Sequence, residues 1–407
     1  MKLSELKLAV ESHAAIRGSA RLQPVGGQGD KVFPPTHVVD KKDVGKPAAS
    51  YARETRRVDG AVRDVVLLDS VQSQANRMEE ALYSLWKTKR LSLPVIEVEL
   101  GFPDLPAVSS LTAPHRVADA LLRDSLLGDT LFRHSDLGKS FTDASIHNAA
   151  ALFRACPTAC LFGIWDSTGP KGGMGFKLSR AITSEIVGID VVYGVKTSSR
   201  IDPTNISKGA GPLYEALDGS TQYTLDPKQA KQDKKEPVLF KAKGTPAEAN
   251  HGNQPPRIDA TGGGVTFDYA QQTIVLSLGV LRKLSFGTAE ETAAARAALG
   301  ALGLVSILSA EEAGYDFRSR CQLIPEKGHA LKLEAVHRNG DTTPLEVTLA
   351  QAIGLLDEAV AALPKSIAWP ARGVALATLK PTPKLTQLIT RTRELAAAGS
   401  DEIATDS

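Results

Sequence analysis

Residues 165–203, WDSTGPKGGMGFKLSRAITSEIVGIDVVYGVKTSSRIDP, set a Gly-rich basic loop, an apolar strand and a second basic turn in succession, a pattern suited to a phosphodiester backbone. Gly169, Gly172, Gly173 and Gly175 can reach positive φ and let main-chain N–H groups approach an anion. Lys171, Lys177 and Arg180 supply charge. The Ile/Val-rich residues 181–195 are long enough for a strand or a bent pair, which would carry Lys196 and Arg200 along a sheet. A sheet edged by basic turns is a common platform for RNA. A tight hairpin with solvated lysines is the plainer alternative. Nucleotide fingerprints do not fit: GPKGGMGFK lacks the spacing and the Ser/Thr of a P-loop, and no repeated βαβ pattern surrounds it.

A second constellation starts at residue 69. In LLDSVQSQANRMEEALYSLWKTKR, Val71, Ala75, Met78, Leu82 and Leu85 fall at helical spacing, with Asp69 or Ser70 as the N-cap. The polar start carries Ser70, Gln72, Gln74, Asn76 and Arg77. A helix N-terminus offers free N–H groups and partial positive charge, so Ser70 and Gln72, with Asn76 and Arg77 one turn on, make a natural phosphate seat. The alternative is a capped, solvent-facing first turn.

Catalytic patterns are weaker. Ser84 and Lys87 match Ser-x-x-Lys only by chance inside that helix, and neither a G-x-S-x-G elbow nor H-E-x-x-H occurs. Of the eight histidines, His115 beside Arg116 and His251 beside Asn250 sit in polar settings where a base or phosphate contact is open to them, although a structural hydrogen bond is the leading assignment for each. Asp69 and Asp166 are accounted for as a cap and a turn residue. Cys156, Cys160 and Cys321 lack a second Cys/His pair, so buried thiols in a reducing cytoplasm are expected, with no metal and no cofactor.

The elements that must position these groups follow from pattern and composition. The chain has 407 residues and a formal charge of +2, so nucleic-acid binding must come from local patches. Residues 1–16 open with a short strand or helix. Residues 17–60 are dense in Gly, Pro and charge and are expected as a loop excursion outside the core; residues 17–64 hold ten Lys/Arg against six Asp/Glu. A strand at 63–68, the helix after it, a strand at 94–100, a helix at 115–127 and the sheet from 161 come next. Residues 202–264 are polar and aliphatic-poor, a long insertion short of a core of its own. Strand character returns at 264–278 and 316–325, the latter presenting Arg318 and Arg320. Helices are expected at 290–313, broken near Gly303, and at 345–363 and 384–398, before a disordered tail. No apolar run reaches the roughly 18 residues of a membrane span. The order suits an α+β domain of the split βαβ, ferredoxin-like type.

Six motifs in order, RLQPVGGQGDKVFPPT (21–36), LLDSVQSQANRMEEAL (67–82), WDSTGPKGGMGFK (165–177), VKTSSRIDP (195–203), NHGN (250–253) and DFRSRCQL (316–323), resemble the RAMP-superfamily backbone subunit of a type I CRISPR Cascade complex, nearest to subtype I-G, formerly I-U. The resemblance covers residues 17–325. It implies an RRM-like palm with finger and thumb insertions: a first palm part at 1–201 with finger excursions, a thumb at 202–263, a second palm part at 264–340, and C-terminal helices and tail at 341–407. It also implies a non-enzymatic protein whose partners are CRISPR RNA, further copies of itself in a helical filament, other Cascade subunits and target DNA paired to the guide, with no membrane. Ser70, Gln72, Gln74, Asn76 and Arg77 inherit guide-phosphate contacts, flanked by Arg21, Lys31, Arg53 and Arg57. His115, Arg116, Lys171, Lys177, Arg180, Lys196, Arg200, Asn250, His251, Arg318 and Arg320 complete the expected RNA surface. In the thumb, a base-displacing wedge would be aliphatic, Tyr223 or Phe240. The alternative is a RAMP-type endoribonuclease acting on CRISPR or target RNA.

Overall fold

A computed structural model describes residues 1–38, 49–169, 177–218, 221–259 and 262–397. The chain forms two compact units, Met1–Val192 with Val265–Thr386, and Tyr193–Gly264 with Gln387–Ser407.

The first unit is α+β. Its sheet is laid down by β1 (Ala15–Pro24), β2 (Arg53–Val58), β3 (Ala61–Asp69), β4 (Ile164–Trp165) with β5 (Lys177–Leu178) as a separate pair, β6 (Ile182–Ile189), β7 (Tyr269–Ser277), β8 (Tyr315–Arg318), β9 (Cys321–Pro325), β10 (Lys332–Val336) and β11 (Thr342–Leu345). The main sheet runs β8-β9-β1-β7-β6-β3-β2, with β10 on β1 and β11 on β10, and its pairings are antiparallel. Helices α1 (Leu3–Ser12), α2 (Val71–Lys87), α3 (Ala289–Ala313) and α4 (Leu349–Ala361) accompany it. The succession β1–α2–β6–β7–α3–β9 with spatial order β9-β1-β7-β6 is the expected split βαβ arrangement. The hairpin β2–β3 is inserted between β1 and α2 and extends the sheet beyond β6.

β1 corrects the expectation that residues 17–60 stay outside the core, because its residues 15–24 form a central strand. Ile16, Gly18, Ala20 and Leu22 alternate toward the buried face, while Arg17 and Ser19 point out. Gly and Ala on the inward face disguise the period as loop composition. α3 is unbroken at Gly303, where a Cβ would meet Leu276 Cδ2 at 2.8 Å, so the glycine allows helix and sheet to touch. By length and composition alone α3 could cross a membrane, contrary to the expectation from the sequence; here it is a mostly buried core helix. Residues 115–127 are not one helix but a 3-10 turn (Arg116–Ala118), a short helix (Ala120–Arg123) and a strand (Ser125–Leu127). That strand joins a five-stranded sheet completed by Ala377–Pro381, so residues expected as a separate C-terminal part are built into the first unit up to Thr386.

The second unit pairs Lys196–Arg200 with Gln254–Asp259. It has a small core, contrary to expectation: Leu213, Ala216, Ala230 and Phe240 are buried, and the Tyr223 ring meets Phe240 edge-on at 5.7 Å. Asp202 ties its chain together, accepting from Thr204 Oγ1 at 2.7 Å, Thr204 N at 2.9 Å and Gly252 N at 2.6 Å. These bonds, the Thr204 hydroxyl first, hold the Asp202 carboxyl down to about 2.

Candidate nucleic-acid interface

The N-terminal half of α2 and the β4–β5 pair both line a cleft of about 690 Å³. Ser70 is the N-cap, its Oγ accepting from Ser73 N at 3.2 Å. Gln72 and Asn76, four residues apart on one helical face, line the cleft and are exposed. His115, also exposed, lines the cleft too. These three side chains make no hydrogen bond to another described residue.

On the β4–β5 pair, Trp165 and Lys177 are cross-strand partners, and Lys177 Nζ sits 5.7 Å from the Trp165 ring centre. Trp165 is 58% exposed. The strand pair is seated by Gly163, which has φ +77° and lies so close to Arg180 and the Leu178 carbonyl that a Cβ would fall 2.9 Å from the latter. Arg180 donates to the Val71 carbonyl at the first turn of α2. Burial, and then repulsion from Arg116, lower its pKa from the usual arginine value. Among the described residues four cations line the cleft, Arg116, Arg123, Lys177 and Arg180, against one carboxylate, Asp166.

Their partners separate structural from available charge. Arg116 is 7% exposed and forks onto Glu79, with Nε to Oε1 at 2.8 Å and Nη2 to Oε2 at 2.7 Å, while Nη1 donates to the Gly163 carbonyl at 3.0 Å. Burial pushes the Glu79 carboxyl up and Arg116 opposes it. Arg123 pairs with Asp124, and Asp166 is held by Arg133 at 3.0 Å and by Thr168 N. Lys177 and Arg180 have no carboxylate within ion-pairing distance among the described residues.

The other expected contacts divide. Gln74, 5% exposed, belongs to a buried network: it donates to Asp69 Oδ2 at 2.6 Å and accepts from Ser184 Oγ at 2.7 Å and Gln272 Nε2 at 3.3 Å, and Gln272 accepts from Tyr315. Arg77 clamps α2 to β8, bonding Asp69 at 3.0 Å and the Asp316 and Phe317 carbonyls at 3.3 and 3.1 Å, over the Phe317 ring. Gln74 and Arg116 are therefore corrected from ligand contacts to buried structural groups consumed by internal partners, whereas Arg77 keeps a part-exposed side chain beside its internal bonds. Arg200, partly buried, donates to the Gly252 and His251 carbonyls, and His251 Nε2 meets the Tyr223 hydroxyl at 3.0 Å. Phe240 is too buried to act as a wedge, whereas Leu217 and Leu225 are exposed.

Arg21 lies over Tyr269 at 4.2 Å and near Asp59 at 3.9 Å. Arg53 and Arg57 stand on β2, with Arg57 donating to the Gly60 carbonyl, and Lys31 precedes the Val32–Val265 bridge. Arg320, at the turn between β8 and β9, covers Phe33 at 4.9 Å; Arg318 and Asn250 are exposed, and Lys196 pairs with Asp259. Of the expected contacts, the described lining of the cleft therefore brings together Gln72, Asn76, His115, Arg116, Lys177 and Arg180, with Arg116 committed to Glu79. Lys171, Gly172, Gly173, Gly175 and the tail from 398 lie outside the described residues. Trp165 was missed as a contact, although an aromatic opposite a lysine across a Gly-rich loop was there to be seen. Among the described residues no group of three or more His, Cys, Asp or Glu could hold a metal.

The first unit is thus an α+β domain of split βαβ topology with an aromatic, cationic cleft beside its first long helix. Residues 16–193 match the model of a family described as CRISPR-associated protein GSU0053 (Cas_GSU0053). Among solved structures, the crystal structure of Csc2 from Thermofilum pendens is similar at 9% identity and a TM-score of 0.27, covering 97% of this chain and 80% of that one, too distant to carry an argument. No curated protein matches.

Proposed function

We propose that this chain is a guide-RNA-binding backbone subunit of a type I CRISPR Cascade complex, of the RAMP kind and nearest to subtype I-G. Copies of it stack along the CRISPR RNA beside other Cascade subunits, and the guide they hold pairs with target DNA. The protein is a scaffold rather than an enzyme, and it works in the cytoplasm. One observation carries the reading: every residue lining the cationic cleft, from Gln72 to Arg180, falls inside the stretch similar to the CRISPR-associated family. In this reading Tyr193–Gly264, which interrupts the split βαβ between β6 and β7, serves as the thumb that the resemblance implies.

Binding by such a cleft should be salt-sensitive and tolerant of sequence, because ammonium and guanidinium groups seek phosphates and release counterions. Two unrelated single-stranded RNAs of equal length should bind within about tenfold of each other, with affinity falling steeply as salt rises. Lys177→Ala should lower the slope of log K against log salt by about 1. Filter binding across a salt series measures both, and a flat salt response or a strong sequence preference would count against the reading.

A further inference from the structure

The cleft offers more than phosphate contacts. Trp165 is the one exposed tryptophan, since Trp86 and Trp369 are both buried. An indole held more than half open, beside a lysine that draws on its face, costs apolar hydration unless something covers it. Its cavity of about 690 Å³ lies within the roughly 300–1,000 Å³ of sites that enclose small molecules. Gln72 and Asn76, which line the same cavity, present amides able both to donate and to accept. Lys177 and Arg180 supply the charge that remains after Arg116 is spent on Glu79 and Arg123 on Asp124. A flat apolar ring, neutral hydrogen-bonding groups and two cations within one cavity correspond in turn to a base, its edge and its phosphate.

We propose that the cleft takes one unstacked nucleotide of a single-stranded nucleic acid, its base laid on Trp165, its edge met by Gln72 and Asn76, and its phosphate by Lys177 and Arg180. This rests on the RNA-binding reading and adds to it a base-stacking subsite. Stacking on an aromatic tolerates any base, so the subsite keeps binding sequence-tolerant. A duplex cannot use it without losing a pair, which makes the cleft selective for single strands.

The test uses the full chain and a short single-stranded RNA, an RNA of the same length with abasic positions, and a duplex. Single-stranded RNA should quench tryptophan emission in the parent, and the quench should vanish in Trp165→Phe, whose melting temperature should stay at the parent's. Trp165→Ala should weaken binding of intact single strands by about 5- to 150-fold, the value of one stacked base, and leave the abasic RNA unaffected. Trp165→Phe should restore most of that affinity. If Trp165→Ala binds intact RNA as the parent does while Lys177→Glu is impaired, the subsite is refuted and the RNA-binding reading stands. If the parent binds no RNA, the reading itself fails. Emission that responds only to the protein's own concentration would instead assign the cleft to a protein contact and overturn the proposal.

Discussion

Arg116→Met should cost the first unit about 3–5 kcal/mol of stability, because it strands the Glu79 carboxylate in the interior without its cation. The guanidinium makes two charge-assisted bonds to Glu79 and a third to the Gly163 carbonyl, so its loss also unseats the turn that aims the β4–β5 pair. The defect should depend on pH, and the sign follows from Glu79. Burial already raises its carboxyl in the parent, and removing Arg116 takes away the largest opposing influence. A carboxyl whose folded-state pKa lies above its unfolded value is favoured when protonated. Its contribution is fully present below the unfolded value of about 4.3 and is lost as pH rises through the folded one. The variant's deficit should therefore be smallest near pH 4 and largest at neutral pH. Denaturant unfolding of parent and variant at both pH values checks this; an equal deficit at each would mean that Glu79 is not the group left exposed to the penalty. Glu79→Leu combined with Arg116→Met should recover much of the loss, since a buried pair replaced by apolar groups of similar volume is often neutral.

The second large effect concerns ligand and not fold. Lys177→Glu combined with Arg180→Gln should weaken single-stranded RNA binding by at least about 100-fold, the loss of two hydrogen bonds to charged groups at about 1.5–3 kcal/mol each. Glutamine at 180 keeps an uncharged donor near the Val71 carbonyl and adds no second acid beside Glu79. The melting temperature of the double variant should stay within a few degrees of the parent's, because Lys177 is exposed and neither side chain holds a carboxylate among the described residues. Fluorescence anisotropy with labelled RNA reads the affinity. Unchanged binding would move the interface away from this cleft and toward the arginines on β2 or the turn at Arg320.

α2 was legible in the sequence from its apolar period and α3 from its Ala/Leu-rich composition, which is buried all round between 297 and 309. β1 was not, because Gly18 and Ala20 occupy inward positions where bulkier residues would have shown the alternation. The helix expected across 115–127 failed for a different reason. Arg116 adopts φ +54°, which ends a regular helix, and its pairing with Glu79 is a tertiary demand that local propensity does not contain. At the site, the sequence reads the polar start of α2 as one surface. Helical spacing separates its residues: 72 and 76 share the cleft face, and 74 and 77 share the face turned to Asp69. The second unit was judged too poor in aliphatics to hold a core, whereas Phe240, Tyr223 and a carboxylate satisfied by backbone N–H groups hold one of modest size.

The central claim, a scaffold that assembles on guide RNA, is tested most directly by co-expressing the chain with a CRISPR transcript and weighing the purified species by native mass spectrometry before and after ribonuclease. A nuclease-resistant ribonucleoprotein holding several copies per RNA, lost in the Lys177→Glu, Arg180→Gln variant, is the expected result. Protein recovered free of RNA, or a small species that shortens the transcript, would contradict it.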